Sequence, residues 1–120
     1  MKNTIRDHLK NMVALNAAIA EADEEIQMIQ KEMVSHGYDE KYMDALNELK
    51  QKVIYYRYQK VKICSGLYDK IENLEAEQGK RLLKYRYIRG YRWEEIADKM
   101  GYSSRQVFNI HSNALNALND

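Results

Sequence analysis

The chain has 120 residues, 45% of them apolar and 31% charged, with five glycines and no proline. That composition favours long helices over a sheet with tight turns, and no alternating run bounded by turn pairs suggests a strand. One cysteine, Cys64, excludes an intrachain disulfide, and the scattered histidines His8, His36 and His111 argue against a zinc site.

The first segment repeats in sevens. Ile5, Met12, Ile19, Ile26 and Met33 form one line, and His8, Leu15, Ala22 and Ile29 follow three residues after each of the first four. This is an a/d coiled-coil seam broken only at His8, a polar residue tolerated near a terminus. Acidic residues Glu21, Asp23, Glu24, Glu25 and Glu32 lie outside it. Ser35-His36-Gly37 should end the helix, with Gly37 in the left-handed conformation.

Asp39 then caps a second helix, with Glu40 in its first turn. Its apolar positions step by four and three through Tyr42, Leu46, Leu49, Val53, Tyr56, Lys60, Ile63, Leu67, Ile71 and Leu74, and the pattern breaks near Gln78-Gly79. Such a helix would be roughly 55 Å long and needs a partner along its stripe. The first helix, folded back as an antiparallel hairpin over residues 1–77, is the simplest one. Ser65-Gly66 marks a candidate kink, and the lone Cys64 reads as a small buried apolar residue.

Between Glu48 and Asp69 the second helix holds Lys50, Lys52, Arg57, Lys60 and Lys62 with no acid, interleaved with Tyr55, Tyr56 and Tyr58. The preferred explanation is a solvated face paired with the acidic first helix; the other is a strip that lies along DNA or an acidic partner.

Three shorter helices follow: Lys80–Arg89 stopped by Gly90, Trp93–Met100 stopped by Gly101, and Ser104–Leu118. A unit this small (residues 80–119) should dock on the end of the hairpin, with Tyr85, Tyr87, Ile88 or Trp93 in the joint. The fold class is therefore all-α: a long antiparallel hairpin followed by a three-helix unit. Residues 1–79 carry 11 basic against 14 acidic side chains and the rest 8 against 4, so the net charge of +1 conceals −3 followed by +4. A basic last third suits a polyanionic partner.

The last two helices fill the steric pattern of a helix-turn-helix. Ile96 and Ala97 face inward, with Ala97 small enough for a close crossing. Met100 closes the helix, Gly101 turns, and Tyr102, Val107 and Ile110 pack the second helix, which Ser103 and Gln106 open as a capping box.

The stretch LLKYRYIRGYRWEEIADKMGYSSRQVFNIHSNALNAL resembles the C-terminal, promoter-reading region 4 of sigma-70-type factors. It shares Leu82-Leu83, Tyr85-Arg86-Tyr87, Gly90, Glu95-Ile96-Ala97, Gly101, Ser103, Val107, Ile110 and Ala114-Leu115…Leu118. The layout as a whole is similar to ArpU-like and RinA-like late-gene activators of phages and prophages of Gram-positive bacteria. The resemblance implies a DNA-binding transcriptional regulator whose last helix enters the major groove. Its base-reading slots hold Ser104, Arg105, Phe108 and Asn109, which suit guanine, adenine and the thymine methyl. Arg86, Arg89, Arg92, Ser103 and Ser112 fall where phosphate contacts are expected. Phe108, Asn113 and Asn116 stand where the family is usually basic, and Arg92 where it often has a capping Ser or Thr. No segment resembles the polymerase-core-binding part of a sigma factor.

The partners implied are double-stranded DNA and, for the hairpin, RNA polymerase or a second copy of the chain. A small terminase-like packaging component, or a helical adaptor on polymerase, is the alternative. His111 beside Ile110 either touches phosphate or packs. The sequence shows no catalytic motif, cofactor or metal site, and no segment able to span a membrane, so the expected setting is the bacterial cytoplasm without enzymatic activity.

Overall fold

The computed structural model describes residues 4–118; residues 1–3 and 119–120, which include the outer limits of the two expected units, lie outside the described residues. Those residues are all-helical. Helix α1 spans Ile5–His36 and α2 spans Glu40–Glu72, and the two pack antiparallel as a hairpin. Thr4 opens α1 with a reciprocal capping box: its hydroxyl accepts the Asp7 N–H at 3.1 Å, and the Asp7 carboxylate accepts the Thr4 N–H at 3.3 Å. Asp39 caps α2 by accepting the Lys41 N–H at 2.9 Å. Gly37 closes α1 with its N–H on Met33 O, but at φ 87°, ψ 176° it is extended rather than left-handed helical. That region is open essentially to glycine alone, so glycine is needed for a different conformation from the expected one.

The hairpin is not uniform. Ile5, Leu9 and Met12 of α1 and Leu67 and Ile71 of α2 are buried where the C-terminal helices join it. Further out only Ala22, Met33, Leu46 and Val53 are buried, and the seam positions Leu15, Ile19, Ile26 and Ile29 stay half-exposed. Leu9 lies off the heptad seam. It is buried because α1 serves two neighbours at this end, which takes a wider face than a two-helix seam. Helix α2 continues unbroken through Ser65-Gly66, and Tyr56 and Lys60 are half-buried at its seam.

Helix α2 ends at Glu72, and α3 (Glu77–Leu83) starts after a short link, so the break falls before the expected Gln78-Gly79. Gly79 is not a stop. It is buried inside α3, where a Cβ would stand 3.1 Å from the Ala114 Cβ. Glycine here lets two helices touch through their backbones, and sequence alone cannot distinguish that use from a helix end.

The expected helix Lys80–Arg89 is likewise remade. α3 passes into a π-helical turn, Lys84–Ile88, closed by Arg89 N–H on Lys84 O at 2.9 Å and followed by Tyr91 N–H on Tyr85 O at 2.9 Å. The Tyr87 carbonyl, in the last turn before the helix ends, accepts the side-chain amide of Asn16 of α1 at 3.1 Å. Gly90 follows at φ 76°, and a Cβ there would meet Asn16 at 3.1–3.2 Å, so the chain needs glycine for conformation and for space. Lys84 pairs with Glu72 and lies 5.1 Å from the Tyr68 ring centre, tying the turn to α2. Tyr87 is buried in the joint, and Tyr85, Ile88 and Trp93 pack beside it.

Candidate nucleic-acid interface

Helices α4 (Trp93–Met100) and α5 (Ser104–Leu118) carry every base-reading candidate on one of their surfaces. Ile96 and Val107 are almost wholly buried between them, with Ala97, Met100, Tyr102 and Ile110 packed around. Gly101 is left-handed at φ 71°, ψ 31°, and Tyr102 N–H closes on Ala97 O at 3.0 Å. A Cβ at Gly101 would touch nothing, so its backbone angle, and not the room for a crossing, requires glycine.

Side-chain bonds fix both helix starts, as a full capping box at α5 and in part at α4. Ser103 and Gln106 bond reciprocally: the Ser103 N–H donates to the Gln106 side-chain oxygen at 2.8 Å, and the Gln106 N–H donates to the Ser103 hydroxyl at 3.2 Å. At α4 the Glu95 carboxylate accepts the Arg92 backbone N–H at 3.2 Å and its Nε–H at 3.4 Å. That backbone bond, joined by the guanidinium, holds Glu95 below the usual carboxylate range. Glu95 thus makes one half of a capping box, and Arg92, whose side chain has no acceptor, leaves the other half unmade.

On α5, Ser104, Arg105, Phe108, Asn109 and Ser112 are all exposed. Ser104, Phe108 and Ser112 stand four apart, as do Arg105 and Asn109, so they share the surface away from Val107 and Ala114, which are buried. Phe108 is 51% exposed, with one side of its ring against Trp93 at 5.5 Å between centres.

The five phosphate candidates separate. Arg89 is exposed with its guanidinium 6.0 Å from the Tyr85 ring centre, and Arg92 is exposed beside Glu95. Ser103 is exposed, but its hydroxyl is occupied by the cap. Arg86 is turned inward: Nη1 donates to Tyr91 O at 3.2 Å, its Nε is buried, and its guanidinium lies 4.5 Å from the Trp93 ring centre. It binds the π-helical turn to α4 by donating to the Tyr91 carbonyl, and so is less exposed than Arg89 and Arg92.

His111 packs. Its Nε2 is 2.7 Å from the Tyr87 hydroxyl, and its ring meets Trp93 edge-on at 4.8 Å. Burial first, then the charges of Arg86 and Arg6, hold it below the ordinary histidine value, while burial pushes the Tyr87 phenol up. The phenol and the imidazole share one hydrogen bond, whose direction is set by the imidazole tautomer. Trp93, Arg86 and Tyr87 therefore form a platform on which His111 of α5 packs, and of the four sequence reasoning placed only Tyr87 and Trp93 in the joint. It also passed over Lys99, exposed at the end of α4 with its ammonium 4.9 Å from the Tyr91 ring centre.

Among the described residues no helix is long and apolar enough to cross a membrane, and no cluster of His, Cys, Asp or Glu could hold a metal ion. No family model, curated protein or solved structure matches this chain.

Proposed function

We propose that this chain is a sequence-specific, double-stranded-DNA-binding transcriptional regulator, in which α4 and α5 form a helix-turn-helix and α5 enters the major groove. One observation carries the reading. The N-terminal half of α5 presents Ser104, Arg105, Phe108 and Asn109 to solvent, while its reverse side is locked into the core through Val107. A rigid helix with an arginine and an asparagine one turn apart matches what major-groove readout demands: bidentate donors for guanine and an amide for adenine. The likeness of residues 82–118 to the promoter-reading region of sigma factors points the same way. Arg89 and Arg92, both exposed at the entrance to α4, are the phosphate contacts on this reading.

Selection of bound duplexes from a random pool tests it. An enriched sequence should emerge, and Arg105→Ala and Asn109→Ala should each cost about 1–3 kcal/mol on that site and little on unrelated DNA. Affinity should also fall with added salt. Recovery of no preferred sequence, or a preference that both variants keep, refutes the assignment.

A further inference from the structure

Helix α2 has a second apolar stripe that the hairpin does not use. Ile54, Val61 and Tyr68 stand seven apart, and Tyr58 falls between the first two, so the four share one helix face beside the buried line of Val53, Leu67 and Ile71. Ile54 is 60%, Tyr58 60% and Val61 66% exposed. At its lower end the stripe is already an interface, because Lys84 lies over Tyr68 and pairs with Glu72. Above Tyr68 the same face continues uncovered.

The basic residues of this stretch were expected to pair with acidic α1. Among the described residues one ion pair links the two helices, Arg57 with Asp23 at 3.9 Å. Lys50, Lys52 and Lys62 remain exposed, and the Lys62 ammonium lies 5.4 Å from the ring centre of Tyr58 on the apolar stripe itself. From residue 49 to residue 68 no carboxylate offsets them. This is an aliphatic and aromatic line about four turns long, edged by exposed lysines.

Charge selects among the occupants. A second copy laid face to face would set Lys50 and Lys62 against their own equivalents, a like-charge arrangement that opposes association. Nucleic acid would satisfy the lysines but leave Ile54 and Val61 without an apolar partner. We infer that this face of α2 docks an acidic amphipathic helix of another protein. That helix lays apolar residues at three- and four-residue spacing on Ile54, Tyr58 and Val61 and directs its carboxylates at Lys50 and Lys62. The docking is independent of DNA reading by α5.

The test uses the full chain and a labelled synthetic helix of about 20 residues, enough to follow the face for roughly 30 Å, with leucines on one stripe and glutamates beside it. Fluorescence anisotropy should show saturable binding that weakens at least tenfold for Val61→Glu, for Ile54→Glu and for Lys50→Glu/Lys62→Glu. All these positions are exposed, so circular dichroism should report unchanged helicity, and duplex binding by the two apolar variants should stay as in the parent chain. Any of four results overturns the inference: no binding, equal binding of a scrambled peptide of the same composition, displacement of the peptide by duplex DNA, or sedimentation showing a parent dimer that Val61→Glu dissolves.

Discussion

The two ends of the hairpin contain similar residues and are built differently. Near the C-terminal helices Met12 and Ile71 are fully buried alongside Leu82, Leu83 and Ile96. From mid-helix toward the Gly37 turn, Ile19, Ile26 and Ile29 remain half-exposed at equivalent seam positions, and only Ala22 and Met33 of that seam are buried. Two helices bury one stripe each and leave the flanks wet. A third layer is what turns a seam into a core. The same asymmetry places the exposed face of α5 on the better-packed end and the uncovered α2 face toward the other.

The comparison is broken most directly by truncation. Ile71→Ala should lower stability by about 3–5 kcal/mol, whereas Ile26→Ala should cost about 1 kcal/mol, because only the first leaves an enclosed cavity. Urea midpoints at a common slope would measure both, and equal losses would mean that the two ends are equally packed. Next in size is Gly90→Ala, expected to cost about 2 kcal/mol since it meets both a positive φ and Asn16. Gly101→Ala has the angle but open space, and should cost about 1 kcal/mol.

A third effect sharpens the picture at the platform under α5. His111 is held neutral in the folded chain, with its pKa below the ordinary 6.5. The unfolded chain therefore takes up the proton first as pH drops. The stabilisation is whole above that ordinary value and is lost as pH falls from there through the depressed native one. Thermal midpoints between pH 8 and 5, about the range in which histidine titrates, should decline, and His111→Gln should flatten that slope; an unchanged slope would place the titration elsewhere. The smallest effect has the opposite sign. Gly66→Ala, in α2 with nothing within 4 Å, should raise stability by about 0.5–1 kcal/mol.

Arg86 and Arg89 show why the site was only partly legible. Both are arginines in one basic stretch, and nothing in their neighbours separates them. The folded chain exposes Arg89 and consumes Arg86 between Tyr91 O and Trp93. On α5, by contrast, the spacing of Val107, Ile110 and Ala114 already implied which side would be buried, and Ser104, Arg105, Phe108 and Asn109 fell on the other by helical geometry alone. His111, left open between packing and phosphate, was settled by Tyr87, a residue 24 positions away in the chain.

What could be read without a fold was local: the heptads of the two long helices, the caps at Asp39 and Ser103, and the glycine that ends α4. Each depends on residues within a turn or two of one another, where backbone geometry and hydrogen-bonding capacity act directly. The break after Glu72, the glycine contact between α3 and α5, the π-helical turn held by Asn16 and the cations stranded along α2 arise only when distant segments meet. Burial and charge pairing then depend on neighbours that chain order does not specify.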